Sequence, residues 1–387
     1  MEFSFNDEQQ MIRDTAAAFL AEVSDSQAVR RAMATEQGYE DSVWQRITGE
    51  MYWQALHIPE QYGGLGLGYV ELAALFEQMG RYLLCAPYYS TVALATNALL
   101  VAGNEEQKSE YLTRIAAGEL TGTLGWVSPG GSWDAQGVQA TWEKTASGYA
   151  LNGTLRYVPD GHTAGLLIVA ARAKGSEGTE GISLFALPAD TAGVERRWLP
   201  TLDQTRRQAE VVLQNAQLPA NALLGGEGAA WPQLEKILQL AQIAVAAEQM
   251  GGAQQALDIS VEYAKGRVQF NRPIASFQAL KHQAADMMLK AEASRSAVYY
   301  AACIAQEALF DGDAALASEL PEAAAIAKGY CSDAFFFNAS TGLQMHGGVG
   351  FTWEYDIQLY FKRARSTETF LGNGDWQREQ LAKQLLD

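Results

Sequence analysis

The periodicity of this chain predicts an α+β protein, helical at both ends with a β-domain between. Three observations carry that expectation. Apolar residues recur at helical spacing through roughly the first 120 residues. Short strand-like runs punctuated by Gly, Pro, Asp and Asn fill the stretch to about residue 228. Helical periodicity then returns and continues to the end. The expected domains are an N-terminal α-helical domain at 1–120, a middle β-domain at 121–228 and a C-terminal helical domain at 229–387. With 387 residues the chain exceeds the roughly 250–300 at which single cores stop growing, so more than one core is expected.

Taken in order, Asn6 followed by Gln9 is a capping-box signature, and Met11, Ile12, Thr15, Ala16, Phe19 and Leu20 fall on one helical face. The glycine-rich run from Pro59 to Gly68 breaks the helices, and helical spacing resumes from about Val70 to Ala117. Strand-like runs occupy 150–158, 166–171, 182–187 and 209–213, and residues 174–181 read as an exposed Gly-rich loop. Helical patterns follow at 234–264, 277–310 and 322–345, with a last short one at 377–386.

Composition excludes several classes. A formal net charge of −17 opposes nonspecific binding to nucleic acid or anionic lipid, so an anionic ligand needs a local basic pocket. No uncharged apolar run reaches the roughly 18 residues of a spanning helix, so no membrane insertion is expected. The acidic start, Met1 to Glu8, lacks the charge and apolar stretch of a signal peptide. Cys85, Cys303 and Cys331 are far apart without metal spacing and read as reduced core thiols of a cytoplasmic protein.

Two strings carry chemistry. In Tyr263–Gln278, a helix ends, a turn containing Pro273 follows, and another helix begins near Ser276. Arg267 there offers a permanent forked cation suited to a pyrophosphate, and Phe270 a flat face for an aromatic ring. Arg267 taken alone also fits a solvated arginine at a helix end. In Gln344–Tyr355, Gly347 and Gly348 follow a helix, exposing backbone N–H groups and admitting a ligand close to the main chain. His346 beside them reads as a packing residue.

As whole blocks these strings closely resemble the acyl-CoA dehydrogenase family. Arg267-Val268-Gln269-Phe270-Asn271 through Phe277-Gln278 is similar to its R-x-Q-F-G…F-Q pattern, with Asn271 for the usual glycine. Asparagine is the residue most tolerant of positive φ after glycine, so the turn is expected to survive. Gln344…Gly347-Gly348-Val349-Gly350-Phe351…Glu354-Tyr355 resembles Q-x-x-G-G-x-G-F-x-x-E-Y. Phe5 to Gln10, Pro59 to Gly66, Gly80-Arg81, Leu151-Asn152-Gly153 and Asp203 with Thr205-Arg206 also fall at family-like positions, so the resemblance covers essentially Phe3 to Leu386.

The resemblance implies a middle β-barrel or sandwich and a C-terminal four-helix bundle. It also implies FAD, whose adenosine-diphosphate end would be held by Arg267, Phe270, Gln278, Gln344, Gly347 and Gly348. The family reaction takes the α-proton of an acyl-CoA thioester while hydride leaves to the flavin, so it needs a placed base. The usual glutamate position is Leu371 here, and the alternative seat on the long preceding helix lies at or near Ala241. Glu368, three residues before Leu371 in what reads as a short irregular segment, and Glu248, two helical turns or about 10 Å beyond Ala241, are the candidate relocated bases. Small neighbours around Glu248 imply tight helix packing and an ion-pair partner, such as an arginine.

The flavin-ring side departs too. The family string T-E-P-x-A-G-S-D becomes Val127 to Asp134, and W-I-T-N-G becomes Tyr157-Val158-Pro159-Asp160-Gly161. Pro159 has neither the N–H nor the hydroxyl of the family's threonine. An intact diphosphate clamp beside a degraded ring half resembles the glutamate-less subunit of bacterial heteromeric, steroid-type acyl-CoA dehydrogenases. The implied assembly is a homo- or hetero-oligomer, a dimer of dimers of this chain alone or with a glutamate-bearing paralogue, with acyl-CoA as substrate and electron-transfer flavoprotein as acceptor. Alternatives are a homo-oligomer with a relocated base, a flavin monooxygenase- or oxidase-like member, and a non-catalytic structural subunit.

Overall fold

The computed structural model describes residues 6–310 and 312–386. Phe5, which opens the first family-like string, and residues 1–4 before it lie outside the described residues. The order is helical, then β, then helical. The first part holds α1 (Asp7–Val23), α2 (Ser26–Met33), α3 (Asp41–Gly49) and α4 (Tyr69–Arg81). A π-helical stretch, Tyr89–Thr96, runs into α5 (Asn97–Ala102), and short α6 (Glu105–Gln107) and α7 (Thr113–Ala116) follow. The capping box forms as expected: Asn6 Oδ1 accepts the Gln9 N–H at 2.8 Å and Gln9 Oε1 accepts the Asn6 N–H at 3.1 Å. The buried face of α1 is narrower than its periodicity predicts, since Ala16, Phe19, Leu20 and Val23 are buried while Met11 and Thr15 are exposed. The helical run expected from 70 to 117 is interrupted after Arg81. Leu83 adopts φ +47, and Pro87 disfavours the helical region for the residue before it.

The middle part is a mixed sheet of β1 (Gly122–Gly125), β2 (Thr141–Thr145), β3 (Gly148–Pro159), β4 (Leu166–Ala173), β5 (Ile182–Pro188), β6 (Val194–Leu199), β7 (Gln208–Pro219) and β8 (Leu223–Leu224). Its order is β6-β7-β3-β2-β4-β5-β8, with β1 beside β4; β1 and β2 run parallel to β4 and the other pairs are antiparallel. All four expected strands are present. β6, whose Val-Glu-Arg-Arg-Trp-Leu sequence carries three charges, and the short β1 and β2 gave no readable alternation. Trp142, Tyr149 and Phe185 pack edge to face at the centre of this core, with ring centroids 5.0–6.2 Å apart. The β3–β7 register shifts between Leu155 and Val158, where Tyr157 takes φ +59. That bulge re-aims the end of β3, which carries Pro159.

The last part holds α8 (Trp231–Gly266), a two-residue hairpin of β9 (Val268–Gln269) and β10 (Arg272–Pro273), α9 (Gln278–Leu309), short α10 (Ala314–Ala317), α11 (Leu320–His346), α12 (Ile357–Thr369) and α13 (Gly374–Leu386). By contacts the chain forms two compact units. One comprises the chain up to Arg31, Tyr69–Leu84 and everything from Gln242 onward; the other comprises Ala32–Gly68 and Cys85–Ala241. In the first unit α11 packs on α9, α12 and α13, and α4 packs on α1 and α9. Its α4 and α8 approach backbone to backbone. A Cβ on Gly80 would stand 1.9 Å from the Glu248 carbonyl oxygen, and one on Gly251 would stand 1.7 Å from that of Glu77.

Candidate functional site

Position 371 lies in a turn between two helices. α12 ends at Thr369, Phe370 is extended, Leu371 takes φ +62 and Gly372 takes φ +90 before α13 begins. A left-handed leucine is a strained choice, because its Cβ crowds the carbonyl. The Leu371 side chain is buried, only 1% exposed. Its carbonyl accepts N–H groups from Gln377 at 2.8 Å and Gln242 at 3.4 Å. The carbonyls of Glu368 and Gly372 accept from Lys328 Nζ at 3.2 and 2.9 Å. Three buried side chains therefore tie the turn, and none of them was singled out from the sequence. One signal existed for Lys328: it is a lone charge inside the run Ala323-Ala324-Ala325-Ile326-Ala327-Lys328-Gly329.

Both relocated-base candidates are ion-paired. Glu368 does not lie in an irregular segment; it is in the last turn of α12, where its carboxylate takes Arg365 at 2.6 Å. The correction is local: α12 spends Leu359, Tyr360 and Ala364 on burial, a stripe masked in the sequence by interleaved charges. Glu248 lies inside α8, buried, with the equally buried Arg363 of α12 bonded to its carboxylate. The arginine expected for it is therefore present. Ala241 is buried, and its carbonyl accepts the Tyr89 hydroxyl at 2.9 Å.

The residues expected to hold a diphosphate are presented at the surface of the unit that contains them. Phe270 and Asn271 form the hairpin turn with φ +51 and +60, so asparagine sustains the left-handed position as expected and phenylalanine joins it. Phe270 is 85% exposed; Arg267 and Gln278 are exposed as well. Gln344, Gly347 and Gly348 are exposed at the end of α11, and Cβ atoms built on the two glycines would meet nothing within 4 Å. Tyr263, one turn before Arg267, stacks on His346 with centroids 4.1 Å apart and donates to its carbonyl at 3.3 Å, joining the ends of α8 and α11. His346 is buried, its Nδ1 lies 2.7 Å from the Gly342 carbonyl, and burial lowers its pKa, so it packs as a neutral ring. A cradle with open space over its glycines fits an approaching pyrophosphate.

The ring-side strings sit in the other unit and offer little to a flavin. The Pro159 carbonyl takes the Thr123 hydroxyl at 2.6 Å, and a proline has no N–H to give in return. Asp160, buried with φ +51, accepts the Ser90 hydroxyl at 2.7 Å. Ser128 is buried and accepts the Gln139 N–H at 3.1 Å, while Ser132 donates to Asp134 at 2.6 Å. Asp203 caps Thr205, and the Arg206 guanidinium lies 4.6 Å over the Tyr89 ring. The Ser128, Ser132, Asp160 and Asp203 side chains are thus engaged with the protein itself.

Among the described residues no helix is long and apolar enough to cross a membrane, and no three His, Cys, Asp or Glu side chains gather as a metal site would require. Cys85 and Cys331 are buried as expected of core thiols, whereas Cys303 on the face of α9 is only half-buried; none of the three forms a disulfide among the described residues.

Comparison with known proteins places this geometry in a class. The acyl-CoA dehydrogenase N-terminal domain matches residues 6–119, and the acyl-CoA dehydrogenase C-terminal domain matches residues 226–386. Acyl-CoA dehydrogenase IpdE2 of Mycolicibacterium smegmatis is 32% identical, over 95% of each chain. Among solved structures, butyryl-CoA dehydrogenase from Megasphaera elsdenii superimposes with a TM-score of 0.90, at 28% identity, over 100% of both chains. A variant of the Tcur3481-Tcur3483 steroid acyl-CoA dehydrogenase gives 0.85 at 27% identity over 98% of both chains. The ChsE4-ChsE5 complex from Mycobacterium tuberculosis gives 0.87 at 25% identity, over 100% of this chain and 99% of the other. This chain belongs to the acyl-CoA dehydrogenase family. FAD is the cofactor of that class, which oxidises CH–CH bonds of acyl-CoA thioesters.

Proposed function

We propose that this chain is the glutamate-less subunit of a heteromeric acyl-CoA dehydrogenase, lending its diphosphate clamp to a glutamate-bearing paralogue. The observation that carries the reading is the buried, left-handed Leu371 in the base position, with both nearby carboxylates committed to arginines. Leucine cannot accept a proton. Glu248 and Glu368 are each held in an ion pair with an arginine, so neither carboxylate is left free to meet a thioester α-proton. The open Gly347-Gly348 turn and the exposed Arg267 and Phe270 support a role in holding the adenosine-diphosphate end of FAD. Gln278 and Gln344 would add neutral hydrogen bonds to it. When bound, FAD supplies the hydride acceptor. Pro159 and the engaged groups around it argue that the ring is seated against the other subunit's residues.

The complex is a dimer of dimers in the cytoplasm, passing electrons to electron-transfer flavoprotein. Its substrate is a bulky acyl-CoA of the steroid type, a reading supported by similarity to the steroid acyl-CoA dehydrogenase pair. Co-expression with a glutamate-bearing paralogue is expected to give a yellow complex holding one FAD for every two protomers, active on acyl-CoA. Arg267→Ala in this chain is expected to lower that FAD content at least tenfold at limiting FAD, since the forked cation meets the diphosphate. One FAD per protomer with acyl-CoA oxidation by this chain alone refutes the proposal.

A further inference from the structure

The turn at position 371 is held from α11 by one buried side chain. Lys328 lies in the middle of α11 and is wholly buried. Its Nζ is 2.7 Å from Ser332 Oγ, 3.2 Å from the Glu368 carbonyl oxygen and 2.9 Å from that of Gly372. All three partners are neutral oxygens. The two carbonyls flank Leu371, one inside the last turn of α12 and one just past it, where helical hydrogen bonds have run out. A lysine buried without a carboxylate bonded to it is a costly way to end a helix, because its charge is stripped of water.

We propose that Lys328 is the positioning residue of the base turn. By drawing the carbonyls of Glu368 and Gly372 onto one nitrogen, it holds residue 371 in the left-handed conformation. It thereby fixes where the side chain at that position is presented, whether leucine or a carboxylate.

The surroundings suit either protonation state. As a neutral amine, Lys328 has two N–H bonds for the two carbonyls and a lone pair for the Ser332 hydroxyl; Ser332 Oγ then accepts from Gln249 Nε2 at 3.1 Å. As an ammonium, its third N–H turns to Ser332 Oγ, and that hydroxyl turns to Gln249 Oε1 at 3.3 Å. Burial brings the lysine down to about 7. The charged groups acting on it are few. Glu368 from α12 is paired with Arg365, and Asp333 from its own helix is paired with Arg378 of α13. Cys331, also on α11, has its thiol pushed up to about 12 by burial and is neutral; it faces the Ser294 carbonyl of α9. From α8 the contact is the uncharged Gln249, through Ser332.

The sign follows from linkage. In the closed turn the amine titrates near 7, and in an opened, hydrated turn near the ordinary lysine value. Opening therefore takes up a proton between these values, and protection rises with pH, by up to tenfold per unit above about 7. The test is amide hydrogen exchange of the full chain across residues 369–374, between pH 6 and 9 and corrected for intrinsic rates. Wild type is expected to show that rise. Lys328→Met is expected to show at least tenfold less protection at pH 8 in this segment alone, with a flat profile. Gln377→Ala, which removes a different anchor of the same turn, is expected to lower protection but keep the slope. Unchanged protection across residues 369–374 in Lys328→Met overturns the proposal, whatever its pH profile. If Lys328→Met does not fold, Lys328→Gln is measured in its place and decides by the same outcome. These readouts need neither FAD, acyl-CoA nor a partner, so they stand or fall apart from the heteromeric reading.

Discussion

Replacing Glu248 by glutamine separates a structural ion pair from a relocated base. Glu248 and Arg363 are 2% and 1% exposed in their side chains, so the pair is wholly desolvated. Its formation balances two desolvation costs against a strong attraction; removing one partner leaves the other charge buried without its counter-ion, at a cost of about 3–5 kcal/mol. With an unfolding entropy of about 2.1 cal/mol/K per residue, that loss corresponds to a Tm decrease of roughly 4–6 °C for a chain of this size. The assay is thermal and urea unfolding of wild type, Glu248→Gln, Arg363→Met and the double variant Glu248→Leu/Arg363→Met. Each single change is expected to lower Tm by that amount. The double variant is expected to recover most of it, because an apolar pair of similar volume often replaces a buried ion pair at little cost. A Glu248→Gln protein as stable as wild type would refute the reasoning. If its acyl-CoA turnover also fell by orders of magnitude, Glu248 would be the base.

Two further outcomes rest on single features. His57 is fully buried, its Nε2 2.9 Å from Asn97 Oδ1, and burial pushes its pKa down to about 4. The folded value lies below the ordinary 6.5, so the unfolded chain binds the proton first and stability is lost as pH falls from about 6.5 through 4, by roughly 3 kcal/mol in all. His57→Gln is expected to remove that share of the acid dependence in urea midpoints measured from pH 7 to 4; an unchanged difference between pH 7 and 4 contradicts it. Gly80→Ala, which gains about 1 kcal/mol in an exposed helix, is expected here to destabilise by about 3 kcal/mol or more, because its Cβ would meet the Glu248 carbonyl at 1.9 Å. A neutral or stabilising result in urea titration would mean that α4 and α8 separate cheaply.

Features governed by local chemistry were readable one residue at a time. The Asn6–Gln9 capping box, the left-handed Asn271 and the strand-like runs of β3, β4, β5 and β7 each depend on neighbours within a few positions. Other features were hidden where the local signal was weak. β6 is half charged, α12 interleaves its apolar stripe with Lys362, Arg363 and Arg365, and α1 buries less of its apolar face than its spacing suggests. The motifs proposed to hold a diphosphate stood out because close backbone approach demands glycine, and a fixed cation demands arginine, wherever the chain goes next.

The sequence by itself determined the family and the helical–β–helical order, and it placed an apolar residue, Leu371, at the expected base position, because each is a matter of residue identity at a recognisable spacing. Only the tertiary structure decided what the remaining charged groups do. Arg363 lies 115 residues beyond Glu248, and Lys328 lies 40 and 44 residues before the two carbonyls it holds. Such pairings are made when helices pack, and their energy comes from removing water around both partners at once. No local pattern records that, so Glu248 could be expected to have an arginine, but which arginine, and that a lysine would fasten the turn at 371, waited on the fold.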